Sequence, residues 1–113
     1  MVKKYIPARG DIVWLTFDPQ AGHEQAGRRP ALVLSPASYN QASGLSLVCP
    51  ITNQNKGYPF DVLLPDDGKV SGVIQTDQIK SVDWQERQAK MIVKASDDIV
   101  YEVQSKLSPL LGY

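Results

Sequence analysis

Gly22-His23-Glu24-Gln25-Ala26-Gly27-Arg28-Arg29-Pro30 leads directly into the apolar run Ala31-Leu32-Val33-Leu34. The first stretch is a charged loop bracketed by glycines, and the second is typical of a buried strand. The loop holds the sole histidine of the chain, a carboxylate, a carboxamide and two guanidinium groups, which together can move protons and hold an anion. We therefore expect the rest of the chain to act as a scaffold for this loop.

The length and composition of the chain indicate one globular domain over residues 1–113. Of its 113 residues, 42% are apolar and 21% are charged, which is ordinary globular composition. No apolar run reaches the roughly 20 residues that span a bilayer, and the N-terminus lacks a secretory signal, so we expect a cytoplasmic protein that does not enter a membrane. The lone Cys49 lies in an apolar run and is expected to fill the core.

The charge of the chain is balanced overall but unevenly distributed. Twelve basic and twelve acidic residues give zero net charge, which argues against electrostatic binding of long duplex DNA. Residues 1–60 carry six basic and three acidic groups, and the remainder carries six basic and nine acidic groups. This asymmetry allows a local positive field around the opening loop, which suits a short anionic segment.

Short runs of β-branched and aromatic residues, separated by turn residues, predict a mainly β protein. One helical turn is expected at 37–41, and a C-terminal helix is expected after the N-cap Ser96, with Pro109 ending or bending it near Ser108. These elements predict a small, strongly bent antiparallel barrel capped by the terminal helix. The predicted strands are 12–17, 31–35, 45–52, 60–64, 71–75 and 91–93.

Two strand ends are expected to hold side chains with functional chemistry. Pro30 restricts Arg29 to an extended conformation at the start of the second strand, which fixes its position better than a free loop would. The neighbouring Arg28 is expected to point to the opposite face and to be solvated. Thr52 stands at the end of the third strand.

Two further polar clusters are candidates for binding. The loop 53–59 interleaves amides with Lys56 and Tyr58, a pattern that suits stacking on an unpaired base beside a phosphate, although a plain surface loop has similar composition. Asp77, Gln78 and Lys80 form another polar strand edge, where Asp77 is either a site residue or a structural acceptor.

Five sets of residues occur together in the chain: Gly10–Trp14, Gly22–Gly27 with Arg29-Pro30, Pro50–Thr52, Lys56–Phe60, and Gly72-Val73 with Asp77–Ser81. Together these motifs resemble the MazF/PemK toxins of toxin-antitoxin systems, and the MazF branch more than the PemK branch. The resemblance implies a homodimeric, metal-independent endoribonuclease on an SH3-like barrel, without a cofactor. It also implies cleavage of single-stranded RNA and neutralisation by a cognate antitoxin, whose disordered segment we expect to be acidic.

The resemblance assigns catalytic roles to Arg29, Thr52 and Glu24. Attack by the ribose 2′-hydroxyl requires a base, an acid and cations around a dianionic phosphorane, and it leaves a 2′,3′-cyclic phosphate. Arg29 is expected to stabilise the phosphorane, Thr52 to hydrogen-bond a phosphate oxygen, and Glu24 to act as the base or to orient Arg29. His23, with an ordinary pKa near ~6.5, is the other candidate for moving protons. The expected RNA-binding residues are His23, Gln25, Arg28, Asn53, Gln54, Lys56, Tyr58, Asp77, Gln78 and Lys80.

One departure and two alternatives qualify this assignment. Gln75 stands where the PemK branch has an arginine, so the Arg/Asp pair of that branch is absent and Asp77 loses its catalytic role. The positive charge that stabilises the phosphorane is then expected to come from Arg29, with help from Lys56 and Lys80. No paired-histidine, paired-cysteine or EF-hand spacing indicates a metal site. The alternatives are a non-enzymatic toxin of the same fold that acts on DNA gyrase through its C-terminal residues, and a catalytically inactive barrel that binds RNA or antitoxin.

Overall fold

The computed structural model describes residues 4–17, 27–66 and 68–113, which form a bent antiparallel sheet and two α-helices. The strands are β1 Asp11–Thr16, β2 Arg28–Val33, β3 Leu45–Thr52, β4 Asp61–Leu63, β5 Val73–Gln75, β6 Lys80–Asp83 and β7 Lys90–Lys94. The helices are α1 Ala37–Ser43 and α2 Asp97–Leu110, and a single 3-10 turn spans Thr76–Gln78.

The strands follow the order β4-β5-β3-β2-β1-β7, and β6 pairs with β3 beside this path. The long strand β3 holds three neighbours, because its first half pairs with β6 and its last two residues pair with β5, while β2 runs along its other side. The sheet is barrel-like without being closed edge to edge. The prediction of a mainly β, barrel-like fold with a C-terminal helix is confirmed.

Apolar side chains pack in two clusters on the two faces of the bent sheet. One cluster places Ile99 and Val103 of α2 against Ile12, Leu32 and Ile74 of the sheet. The other cluster consists of side chains of β1, β2, β3 and β6. Each fully buried aliphatic side chain contributes roughly 1.5–3 kcal/mol relative to exposure.

Cys49 is buried in the core, as the sequence predicts. Burial, with a smaller effect from the negative charge of Asp77, raises the pKa of its thiol to about 12. The thiol is therefore neutral near pH 7 and behaves as a small apolar side chain.

Most predicted elements differ from the observed ones by one or two residues at an end, and three differences are larger or change the interpretation. β2 begins at Arg28 rather than at Ala31, because Arg28 and Arg29 still pair with the end of β1. β6 was not predicted as a separate strand, and the preceding 3-10 turn breaks the polar segment that contains it. α2 continues through Pro109 to Leu110, so the prediction that it ends or bends near Ser108 was wrong about its end.

None of the helices in the described ranges is long and apolar enough to cross a membrane.

Candidate active site

An open pocket of about 610 Å³ lies where β1, the start of β2 and the end of β3 meet the segment before β5. Its volume is within the roughly 300–1,000 Å³ that is usual for ligand sites. The described residues that line it are Trp14, Arg28, Arg29, Pro30, Ile51, Thr52, Asn53, Gln54, Lys69, Val70 and Ser71.

Strand register brings Arg29 and Thr52 to the same pocket. In the antiparallel β2–β3 pair, Ala31 lies opposite Pro50, and extending that register by two residues places Thr52 opposite Arg29. The β1–β2 pair sets Arg29 across from Leu15, within a strand rather than on a loop. The backbone of Arg29 therefore belongs to β2, as expected.

The remaining wall of the pocket depends on a close approach of two backbones. Thr52 pairs with Val73 of β5, and the preceding Gly72 has a φ of +110°. A Cβ atom at Gly72 would lie 2.2 Å from the carbonyl oxygen of Thr52, so only glycine permits this approach. Lys69, Val70 and Ser71 are thereby held beside Thr52.

All charged side chains in the described lining of the pocket are cationic: Arg28, Arg29 and Lys69. Arg28 is exposed but is not simply solvated, because its guanidinium donates to Thr16 Oγ1 at 2.6 Å and to the carbonyl oxygen of Gln88. These bonds hold Arg28 against the turn before β7. Its side chain is exposed, as predicted, and it lines the same pocket as Arg29.

The side chains of Arg29 and Lys69 make no hydrogen bond or ion pair with the described residues. Their positive charges are therefore available to an anion that enters the pocket. An anion there meets cations without a described carboxylate in the lining, which makes the pocket suitable for a phosphate.

The Thr52 side chain has a defined orientation. Its Oγ1 accepts a hydrogen bond from the backbone N–H of Gln54 at 3.2 Å, which leaves the hydroxyl proton free to donate. The same turn directs the segment of Asn53 and Gln54 along the pocket wall. A phosphate oxygen at this point could accept from Thr52 while a second oxygen meets Arg29.

Lys56 and Tyr58 belong to the same loop as Asn53 and Gln54 but are not brought to the pocket. Both are exposed and lie outside its lining. The turn continues away from the site, with the Asn55 side chain accepting from the Gly57 N–H at 3.0 Å. The structure therefore separates the two ends of the loop 53–59.

The polar cluster after β5 also lies away from the pocket. Asp77 and Gln78 are exposed in the 3-10 turn, where the Asp77 charge adds to desolvation in raising the pKa of Asp61. Lys80 instead places its Nζ 5.0 Å from the centroid of the Phe17 ring. His23, Glu24 and Gln25 lie outside the described residues.

Six lining residues are absent from the predicted site residues: Trp14, Pro30, Ile51, Lys69, Val70 and Ser71. Trp14 lies opposite Pro30, the neighbour of Arg29, in the β1–β2 pair. Its place in the pocket lining could therefore be predicted from Arg29 once the register of this pair is known. Lys69 is bracketed by Gly68 and Gly72, both with positive φ, a spacing that marks a loop with special backbone geometry.

Comparisons with known proteins agree with this architecture. A family model described as PemK-like, MazF-like toxin of type II toxin-antitoxin system matches residues 8–111. The chain is 43% identical to the endoribonuclease toxin MazF of Escherichia coli K12, covering 99% of this chain and 100% of that protein. It is 36% identical to the endoribonuclease PemK of Escherichia coli, covering 91% of this chain and 80% of that protein.

A solved structure shows the same fold in a closely similar sequence. The MazE–MazF complex from Deinococcus radiodurans (form II) superimposes with a TM-score of 0.91 at 54% identity, covering 96% of this chain and 98% of the matched chain. With the family match over nearly the whole sequence, these similarities confirm the resemblance read from the separate motifs. The chain therefore belongs to the PemK-like, MazF-like toxins of type II toxin-antitoxin systems.

Proposed function

We propose that this protein is the toxin of a type II toxin-antitoxin pair and an endoribonuclease that cleaves single-stranded RNA in a sequence-specific way, so that translation and growth are inhibited. The observation that carries the proposal is the meeting of Arg29 and Thr52 in a pocket whose described charges are all positive. The relatives named as endoribonucleases align with this chain over 91–99% of its length, at 36–43% identity.

The reaction uses the 2′-hydroxyl of the RNA as the nucleophile. Its oxygen attacks the adjacent phosphorus, the bond from phosphorus to the 5′-oxygen breaks, and the products are a 2′,3′-cyclic phosphate and a 5′-hydroxyl. Arg29 stabilises the added negative charge on the phosphorane, and Thr52 donates a hydrogen bond to one of its oxygens. A guanidinium with a pKa above ~12 is a poor proton donor, so the role of Arg29 is electrostatic.

Proton transfer is assigned from the sequence motif. The base that accepts the 2′-hydroxyl proton is Glu24 or His23, and an acid must protonate the departing 5′-oxygen. If Glu24 is not the base, its carboxylate orients Arg29. Substituting each in turn and comparing the pH dependence of kcat separates the two, because only a titrating group moves the pH profile.

The direct test is to map cleavage ends on a mixed-sequence RNA. The expected products carry 2′,3′-cyclic phosphate and 5′-hydroxyl ends at one short base motif, and EDTA leaves the rate unchanged because the proposed mechanism needs no metal. Cleavage that requires a divalent ion, or that leaves 5′-phosphate ends, contradicts the proposal. Intact RNA favours an inactive binding barrel or a gyrase-directed toxin instead.

Substitutions in the pocket and outside it test the assignment of residues. Arg29→Ala is expected to lower kcat by about 100- to 1,000-fold, as the loss of a transition-state contact does. Asp77→Ala should cost much less, since Asp77 lies outside the described lining of the pocket. Single-turnover cleavage of one RNA by folded variants measures both, and equal losses contradict this division of roles.

The proposed partners follow from the same pocket. An acidic, disordered segment of a cognate antitoxin would compete with RNA for the positive charges of Arg29 and Lys69, ordering as it binds. The solved MazE–MazF complex supports an antitoxin partner. We also propose that the toxin is a homodimer and resides in the cytoplasm; sedimentation equilibrium tests the first and cell fractionation the second.

A further inference from the structure

Lys69 lies between two pockets. Beside the candidate active site is a second pocket of about 400 Å³, with an apolar floor that includes Ile12, Leu64 and Ile99. Lys69 and Val70 line both pockets. A bound strand that extends from the first pocket towards the second must therefore pass over Lys69.

The Lys69 ammonium has no partner within the described part of the chain. Three other lysines have partners: Lys80 lies over Phe17, Lys94 contacts Asp11 at 3.3 Å, and Lys106 donates to the carbonyl oxygen of Asp61 at 2.9 Å. Within the first pocket, Arg28 is fixed by protein acceptors. Arg29 is assigned to the scissile phosphate, so among the described lining of this pocket Lys69 is the cation left to hold a further phosphate.

The backbone around Lys69 is held in place although its side chain is exposed. Gly72 packs against the Thr52 carbonyl, and its own carbonyl accepts from the Leu64 N–H at 2.9 Å. Val70 is partly buried against the core cluster under α2. The Lys69 Cα is therefore fixed relative to Thr52, while the flexible stem lets the ammonium reach a range of phosphate positions.

We propose that Lys69 binds the non-reacting phosphate next to the scissile one, on the side that faces the second pocket. This inference rests on the proposed RNA cleavage. The flanking phosphate carries the same charge in the bound substrate and in the transition state, so the contact strengthens both states equally. It therefore lowers KM and leaves kcat unchanged.

The test compares the wild-type protein, Lys69→Gln and Lys69→Arg on a short RNA that contains the mapped cleavage motif. Lys69→Gln should raise KM by roughly threefold to tenfold, the scale of an exposed charge contact, with kcat unchanged. Lys69→Arg keeps the charge and should restore most of the affinity. Lys4→Gln is the matched control, because Lys4 is exposed and outside the described lining of both pockets.

A chemical substitution in the RNA locates the contact. Each of the two phosphates that flank the scissile one is replaced in turn by a neutral methylphosphonate. At one of these positions, the replacement should raise KM for the wild type by the factor seen with Lys69→Gln, and should have no further effect on that variant. This non-additivity is the signature of a direct pair.

The outcomes separate the two proposals. An unchanged KM for Lys69→Gln, a loss in kcat alone, or full additivity at both flanking phosphates overturns the role of Lys69 while leaving the endoribonuclease assignment standing. Wild-type protein that cleaves no RNA overturns both. Equal unfolding midpoints for the variants and the wild type exclude a loss through misfolding.

Discussion

Gly72 is the residue on which the geometry of the pocket depends most directly. Its φ of +110° is rarely adopted by residues with a side chain, and a Cβ atom there would meet Thr52 O at 2.2 Å and Thr52 C at 2.9 Å. Both atoms belong to the backbone, so no side-chain rotation relieves the clash. Any larger residue must displace either β5 or the end of β3, and with it the Thr52 hydroxyl.

We predict that Gly72→Ala destabilises the fold by about 2–3 kcal/mol through this strain and lowers RNA cleavage beyond the loss of folded protein. Gly44→Ala is the matched control. Gly44 has a φ of +76° but no atom within 4 Å of the added Cβ, so its cost should be about 1 kcal/mol with normal cleavage. Urea unfolding and single-turnover cleavage measure both variants, and equal effects at the two glycines contradict the role of the Thr52 contact.

The two adjacent arginines show what local sequence can and cannot predict. Pro30 restricts Arg29 directly, so its place at the start of β2 follows from the dipeptide. The bonds of Arg28 depend on the Gln88 carbonyl, sixty residues along the chain, and on a turn with a positive φ at Gln88. No local pattern predicts that contact, because it is created by the pairing of β1 with both β2 and β7.

Among the secondary-structure elements, β3 explains why the sheet was only partly predictable. Its run of apolar residues predicts a strand, and the structure confirms one over Leu45–Thr52. One edge of β3 pairs with β6 before Pro50 and with β5 after it. Pro50 lacks a backbone donor at this point, and both partner strands lie far along the chain, so local sequence does not predict the change of partner. The same pairing turns the end of the segment Thr76–Val82 into the start of β6, after a 3-10 turn, whereas its composition indicated only a polar strand edge.

The two ends of α2 show the same contrast. Ser96 was predicted as the N-cap, and its Oγ accepts from the Ile99 N–H at 3.3 Å. Pro109 was expected to stop or bend the helix near Ser108, but it lies in the last turn, where only one backbone donor is lost. The Leu111 N–H bonds back to the Leu107 carbonyl at 3.2 Å, which closes the final turn despite the proline.

Ser96→Ala is predicted to lower the free energy of unfolding by about 1 kcal/mol, because it removes the acceptor for a terminal N–H of α2. Ser105→Ala is the matched control in the same helix. Ser105 is exposed in the helix interior, where alanine has the higher helix propensity, so this change should be neutral or slightly stabilising. Thermal unfolding of both variants provides the comparison; equal destabilisation shows that the cap is not responsible.

For the whole molecule, the location of the charged residues indicates an anion-binding site, whereas the net charge does not. The chain is neutral overall, yet Arg28, Arg29 and Lys69 line one pocket, and no carboxylate is found among its described lining residues. The excess of positive charge in residues 1–60 indicated such a site near the opening loop. It could not indicate Lys69, which lies in the acidic remainder and reaches the pocket only through the pairing of β5 with β3.

This arrangement predicts a moderate salt dependence of RNA binding. If Arg29, Lys69 and in part Arg28 neutralise two to three phosphates, the slope of log affinity against log salt should be about −1.4 to −2.1 for a single strand. Raising salt from about 50 to 200 mM should therefore weaken binding of a non-cleavable 2′-deoxy analogue roughly 7- to 20-fold. Fluorescence anisotropy gives the slope.

Lys69→Gln should reduce the magnitude of this slope by about 0.7, whereas Lys4→Gln should leave it unchanged. A slope steeper than about −4 contradicts a single pocket of this charge and indicates that basic groups elsewhere on the molecule hold the RNA.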